Sequence, residues 1–250
     1  MTKVRILHPH PAILLEAEQR YVVISDLHIG FESMFTTRGV NLSSDTYVDE
    51  MLDELHSIIM KEKPDAVILL GDIKSSVHTI TRSEWINIPK FLQSLSKVAK
   101  VFLIPGNHDG NIRHLVPRSV IMMSNKGMLL DDTLLIHGHT TPTKTGTVNR
   151  IIMGHVHPVF LRQGSAVSGQ RVWIYLKADK QKIFSNRKGI FDIIVMPSFN
   201  KYFYYSMQSS HYRKSISPIL KKVTEKVESA IVSTLDGSIV GNEALLQQII

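Results

Sequence analysis

Five short runs of apolar, mostly β-branched residues each stop at a cluster of Asp, His, Asn and Gly, and this alternation limits what the chain can fold into. The runs are Tyr21–Ile24, Ala66–Leu70, Val101–Ile104, Thr133–Ile136 and Ile151–Met153. Each is continuous rather than alternating, which suits a strand buried on both faces. The clusters that follow are Ser25-Asp26-Leu27-His28, Gly71-Asp72, Pro105-Gly106-Asn107-His108-Asp109, His137-Gly138-His139 and Gly154-His155-Val156-His157. Strand followed by polar loop is the pattern of an α/β or α/β/α sandwich. In such sheets, sites form beyond the carboxyl ends of the strands.

Helices fit between the runs. Ser44–Glu62 carries Val48, Met51, Leu52, Leu55, Ile58 and Ile59 at helical spacing, with capping oxygens at Ser43, Ser44 and Asp45 and with Pro64 after its end. Thr81–Lys97 is a second helix, in which Pro89 is a potential break. Val4–Leu15 is expected to pair beside the first run, and Arg171–Leu176 and Phe191–Val195 to form strands of a second sheet. After Ser217, Ile219, Leu220, Val223, Val227 and Ile231 predict an amphipathic helix, and the stretch with Gly237 and Gly241 a loosely attached tail. The expected division is therefore 1–216 for the main domain and 217–250 for a C-terminal helix and tail.

Composition narrows the class. A chain of 250 residues with 43% hydrophobic and 20% charged residues suits one generous domain. No run of apolar residues is long enough to span a membrane, and the N-terminus does not read as a secretory signal. With no cysteine there is neither a disulfide scaffold nor a thiolate metal site, which fits a cytoplasmic location. The net charge of +7 is uneven: Arg171–Lys226 holds 12 Lys/Arg against 3 Asp/Glu, and the rest 17 against 19. A basic C-terminal third attracts polyanions, nucleic acid among them, although charge totals equally describe a solvated surface. Oligomeric state is not legible.

The polar clusters carry the chemistry. Asp26 and His28 flank one residue, as do His155 and His157, so in extended chain each pair projects to one side. Asp, His and Asn without Cys form an N/O ligand set suited to Mn, Fe, Zn or similar divalent ions. Two such ions need a shared carboxylate, and Asp72 stands mid-series. Glycines beside the ligands (Gly71, Gly106, Gly138, Gly154) let the backbone turn and approach closely.

In order and spacing, Asp26-x-His28, Gly71-Asp72, Gly106-Asn107-His108-Asp109, His137-Gly138-His139 and Gly154-His155-x-His157 resemble the signature of the calcineurin-like metallophosphoesterases over about residues 20–160. The resemblance implies a four-layer α/β/β/α sandwich with two mixed sheets flanked by helices. It implies that Asp26, His28 and His157 hold one ion, that Asn107, His137 and His155 hold the other, and that Asp72 bridges them. His108 would protonate the leaving alkoxide, with Asp109 orienting it. The implied cofactors are two divalent ions, Mn2+ first, with Fe, Zn, Ni or Co as alternatives. The implied reaction is hydrolysis of a phosphate ester by metal-bound hydroxide. A finer likeness is to archaeal SbcD-related phosphoesterases and to those associated with DNA ligase, with Gly30 and Lys74 part of that match. Protein phosphatases carry an Asp-Arg pair where Ile73-Lys74-Ser75-Ser76 stands here, which disfavours that class.

Further residues are candidates for contacting substrate: His139, Lys74 and Arg113, the last with His114 in a loop beyond His108. The aromatic cluster Phe199, Tyr202, Phe203, Tyr204 and Tyr205 beside Lys201 suits core or edge packing better than stacking on single-stranded bases. Three functions fit the motifs: a phosphodiesterase or nuclease on DNA or RNA, an enzyme on small or cyclic nucleotides, and a non-catalytic scaffold of the same fold.

Overall fold

The computed structural model describes residues 2–32, 44–143, 146–203, 217–224 and 227–246. The first sheet has six strands in sequence order: β1 (Lys3–Ile6), β2 (Ile13–Glu16), β3 (Arg20–Ile24), β4 (Ala66–Leu70), β5 (Lys100–Ile104) and β6 (Val120–Met122). β1 to β3 form an antiparallel meander, whereas β3, β4, β5 and β6 run parallel. The crossovers are helical: α1 (Ser44–Glu62) joins β3 to β4, and α2 (Arg82–Ser96) joins β4 to β5. The second sheet adds β7 (Met128–Leu130), β8 (Thr133–Leu135), β9 (Arg150–Met153), β10 (Val172–Asp179), β11 (Ile190–Val195), β12 (Ser229–Thr234) and β13 (Ile239–Asn242). Its order is β13-β12-β10-β11-β9-β8-β7, with β8, β9 and β11 parallel and the other neighbours antiparallel.

The apolar pattern explains the layering. β4 is buried along its whole length. Ile68 and Leu70 face inward with Ile13, Leu15 and Val23, against Leu135, Ile152, Trp173 and Ile194 of the second sheet. Val67 and Leu69 face outward onto α1 and α2, through Val48, Leu55, Ile88 and Phe91. The outer face of the second sheet carries Ile151, Ile174 and Ile193 under α3 (Pro218–Val223), which buries Ile219, Leu220 and Val223. Each fully buried Leu, Ile or Val contributes about 1.5–3 kcal/mol. The result is a four-layer α/β/β/α sandwich with two mixed sheets, as the resemblance implied.

Pro89 does not break α2; it sits inside the continuous helix. The carbonyl it leaves without an N–H donor belongs to Trp85, an exposed residue, so water can serve it. α2 opens with a capping box in which the Thr81 hydroxyl accepts from Glu84 N–H and the Glu84 carboxylate accepts from Thr81 N–H. The side chains of Ser43, Ser44 and Asp45, expected as caps of α1, lie outside the described residues.

The C-terminal reading needs correction. Among the described residues the helical spacing after Ser217 yields only α3, and Ile231 lies in β12. β12 pairs with β10 from Val172↔Thr234 to Lys177↔Ser229, and β13 extends the sheet beyond it. The stretch holding Gly237 and Gly241 is thus a hairpin on the sheet rather than a loose tail. Alternation over Ser229–Val232 (exposed at Ser229 and Ile231, buried at Ala230 and Val232) carries a strand period that the helical reading passed over.

Candidate metal centre

β3, β4 and β5 end at Ile24, Leu70 and Ile104, and β8 and β9 end at Leu135 and Met153. The loops that follow these five strands meet at one end of the sandwich. Beyond the strand ends the first two loops remain paired: Asp26 N–H donates to Gly71 O at 3.1 Å and His28 N–H to Asp72 O at 2.9 Å. The two sheets are stitched across the site by His137 Nδ1–H, which donates to Leu70 O at 3.0 Å, while within the first sheet the Ser25 hydroxyl donates to the same carbonyl at 2.8 Å.

Two donor groups result. Asp26, His28, Asp72 and His157 place one donor atom each within 4.8 Å of one another, and Asp72, His137 and His155 do the same. Asp72 belongs to both. Its Oδ2 lies 3.2 Å from His137 Nε2, 3.8 Å from His28 Nε2 and 3.9 Å from His108 Nε2. His157 Nε2 stands 3.0 Å from Asp26 Oδ1 and 3.1 Å from His28 Nε2. Asp26, His28 and His137 are fully buried and Asp72 nearly so. Asn107 is exposed in the loop after β5, between Gly106 and His108, whose backbone N–H donates to Asp72 Oδ1 at 2.8 Å.

The backbone is shaped for these side chains. Asp26, His28, Asp72, His155 and His157 all have φ between 44° and 72°, the left-handed region that non-glycine residues rarely adopt. Each such residue costs of order 1 kcal/mol or more. Two glycines are required by close approach: a Cβ at Gly71 would stand 2.2 Å from His137 Nδ1, and one at Gly106 2.1 Å from Asp72 Oδ1.

Electrostatics bind the groups together. Burial opposes charge on His137, but the Asp72 and Asp26 carboxylates overcome it and raise its pKa to about 10. Burial likewise opposes the Asp26 carboxylate, yet His157 and His137 hold it at about 2. His155 falls to about 4, through burial first and the charge of His137 second. His28 falls well below its ordinary value for the same kind of reason, burial and then His157. His137 Nε2 is buried and makes no hydrogen bond among the described residues, despite lying 3.2 Å from Asp72 Oδ2. Carboxylate and imidazole donor atoms clustered this closely form a set suited to divalent cations.

The other candidates are placed as follows. His108 Nδ1 bonds to the Ser75 carbonyl, so its Nε2 is turned toward Asp72. Asp109 does not orient His108 as expected. Its oxygens accept from the backbone N–H groups of Ile73 (2.9 Å), Lys74 (3.2 Å) and Gly106 (2.8 Å), tying the second loop to the third. Burial, and then Asp72, raise its pKa to about 6. Lys74 does not face the site: it is fully buried, and its ammonium is held by the Ser76, Val77 and Thr79 carbonyls. His139 is half-buried, its ring 5.3 Å from His137 and 6.2 Å from His155. Arg113 is exposed on a 3-10 turn (Ile112–His114) and lines a cleft with Asp109, Asn111, His114 and Met122.

The segment after β11 supplies partners that the motifs do not contain. The Ser198 hydroxyl donates to Asp26 O at 2.7 Å, Asn200 Nδ2 to Leu27 O at 2.8 Å, and Phe199 N–H to Ser25 O at 2.8 Å. Arg171 fixes that segment through the Ser198 and Phe199 carbonyls. Phe203 is buried and stacks on His28, with ring centroids 3.7 Å apart and planes 5° from parallel, and meets His157 edge-on. The core-packing reading of the aromatic cluster holds for Phe199 and Phe203; Tyr204 and Tyr205 lie outside the described residues.

Several basic residues of the C-terminal third already have partners. Lys177 pairs with Asp192 at 2.9 Å, Lys201 with Glu50 at 2.8 Å, and Lys180 donates to Asn149 at 2.6 Å. No helix among the described residues is long and apolar enough to cross a membrane.

Comparison with known proteins places these observations. No curated protein matches the chain in sequence. Among solved structures, a nuclease MPE from Pseudomonas putida is 19% identical, with 79% of this chain and 88% of that one covered and a TM-score of 0.49. YfcE, a phosphoesterase from E. coli, is 15% identical, with 89% and 97% covered and a TM-score of 0.41. The family model of the calcineurin-like phosphoesterases matches residues 19–156, a span that holds Asp26, His28, Asp72, His137 and His155 and ends one residue before His157. With that match, more than half its length, the chain belongs to the calcineurin-like phosphoesterase family and is a metal-dependent phosphoesterase.

Proposed function

We propose that this chain is a two-metal phosphodiesterase that hydrolyses a P–O bond in DNA or RNA. The observation that carries the reading is Asp72, whose one carboxylate serves both donor groups while its Oδ2 lies 3.9 Å from His108 Nε2. In this reading Asp26, His28 and His157 hold one cation, Asn107, His137 and His155 the other, and Asp72 both. When bound, two divalent ions draw charge from the phosphoryl oxygens and make water a competent nucleophile at neutral pH. The protein's own part is to keep the donors fixed and dry, and to supply a proton. Because a carbonyl can only accept, the Ser75 bond requires the proton on His108 Nδ1. Nε2 of the imidazolium then donates its proton to the leaving alkoxide. Asp109 acts at one remove, by tying the loops that carry Asp72 and His108.

A second reading, hydrolysis of small or cyclic nucleotides, draws support from the pairing of Lys177, Lys180 and Lys201, which leaves less free positive charge for a polyanion. The test is a Mn2+-supported hydrolysis screen over bis(4-nitrophenyl) phosphate, cyclic nucleotides, and single- and double-stranded DNA and RNA, each at several salt concentrations. Polynucleotide cleavage whose affinity falls steeply with salt supports the first reading. Salt-insensitive turnover confined to small esters replaces it with the second, and no diester turnover with two ions bound defeats both.

A further inference from the structure

A buried carboxylate outside the metal centre is wired to His108. Glu84 is the third residue of α2 and is fully buried. Its capping role needs one contact, the Thr81 N–H donating to Oε2 at 2.7 Å. It makes three more. Oε1 accepts from the backbone N–H groups of Ser75 (3.1 Å) and Ser76 (2.7 Å), and Oε2 accepts from the Ser76 hydroxyl at 2.6 Å. Lys74, also fully buried, grips the same loop from its carbonyl side through Ser76, Val77 and Thr79. Room for Glu84 is reserved at Gly30, where a Cβ would stand 2.5 Å from Glu84 Cγ. A buried carboxylate is costly to desolvate, and four donors are what make it tolerable.

The consequence follows from peptide geometry. The Ser76 N–H and the Ser75 C=O belong to one planar trans peptide group, so they point in opposite directions. A carboxylate that holds the N–H therefore aims the carbonyl. That carbonyl accepts the bond from His108 Nδ1. The peptide is polarised between an anionic acceptor on one side and an imidazole donor on the other, which strengthens both bonds.

We propose that Glu84 is a positioning residue for phosphoester hydrolysis: it clamps the Ser75–Ser76 peptide so that the Ser75 carbonyl fixes His108 with Nδ1 protonated and Nε2 facing Asp72. This rests on the proton-donor reading of His108. Glu84→Gln tests it, because it keeps the volume but removes the charge that grips the Ser76 N–H and, whichever way the amide turns, sets its NH2 against backbone N–H groups, that of Thr81 on one side or those of Ser75 and Ser76 on the other. Glu84→Ala is the harsher companion. Both are compared with His108→Ala, metal content being measured for each. One substrate is bis(4-nitrophenyl) phosphate, which needs no acid, and the other a dinucleoside monophosphate, whose alkoxide does. A positioned acid contributes about 10²–10⁴-fold. The expected result for Glu84→Gln is two bound ions, KM and nitrophenyl kcat nearly unchanged, and about a tenfold loss of kcat on the dinucleotide. In the Zn2+-loaded protein, the His108 Nδ1–H proton resonance, identified by its loss in His108→Ala, is expected to shift or exchange away. Glu84→Gln with an unaltered ratio of the two kcat values and an unaltered resonance overturns the proposal. Should Glu84→Ala fail to fold, Glu84→Gln still decides it. Should His108→Ala slow both substrates equally, the proton-donor reading fails, while the resonance in Glu84→Gln still decides whether Glu84 positions the ring.

Discussion

Substituting Asp72 by Asn isolates the charge of the proposed shared ligand from everything else about it. Asn has nearly the same volume and tolerates the left-handed backbone found at this position, where φ is 49°. Its side-chain oxygen can still accept the His108 N–H that now bonds to Oδ1 at 2.8 Å. What is lost is one negative charge at a site 1% exposed, within 4.8 Å of the donor atoms of both groups. Two unit charges about 4 Å apart at an effective dielectric of about 20 interact by about 4 kcal/mol. A divalent ion loses at least that much, so Asp72→Asn should weaken both binding steps by at least about 10³-fold, since each 1.4 kcal/mol is about a factor of ten. Competition with a chromogenic chelator measures the two steps, and hydrolysis of bis(4-nitrophenyl) phosphate at saturating Mn2+ measures turnover, which should fall at least about 10²-fold. If one step weakens and the other keeps its affinity, Asp72 is not shared and the reasoning is refuted.

Three further outcomes are expected. In the metal-free protein His137 has its pKa raised to about 10, so its favourable contribution to the fold is full below about pH 6.5 and is lost as pH rises through about 10. A cation must displace that proton, so apparent affinity should climb about tenfold per pH unit between about pH 7 and 9; calorimetry in buffers of different ionisation heat should register its release, and no release would exclude Nε2 of His137 as a ligand. His108→Ala should retain two ions, by elemental analysis, while slowing a dinucleotide by about 10²-fold or more and a nitrophenyl diester far less; loss of an ion would make His108 a ligand instead. Lys182→Gln with Lys188→Gln should reduce the salt dependence of DNA or RNA binding by up to about two in log–log slope, measured by fluorescence anisotropy, and spare nitrophenyl ester hydrolysis; equal loss of both activities would point to damaged folding.

Much of the fold was legible because buried parallel strands announce themselves as continuous apolar runs, and because each run here stops where side chains turn from packing to chemistry. Asp26, His28, Asp72, His137, His155 and His157 converge because five strand ends share one edge, a consequence of topology that spacing along the chain already carried. Illegible features are of two kinds. Some act through main-chain atoms: the Ser75 carbonyl that holds His108 leaves no trace in residue type, and so Asp109, the nearer carboxylate in sequence, was the natural but mistaken partner. Others lie far along the chain from what they touch, as Ser198, Asn200 and Phe203 do from Asp26, Leu27 and His28. Lys74 shows the limit of reading a charge as surface; its ammonium satisfies loop carbonyls in the interior. At the C-terminus, β12 was lost to a competing period, because apolar residues spaced for a short helix run on into a strand.

Anomalous diffraction from crystals grown with Mn2+ probes the shared carboxylate most directly. Two peaks about 3.5–4 Å apart, each within coordination distance of an Asp72 oxygen, one beside Asp26, His28 and His157 and the other beside His137 and His155, are what two cations on one bridge require. A single peak, or two that do not share Asp72, would contradict it.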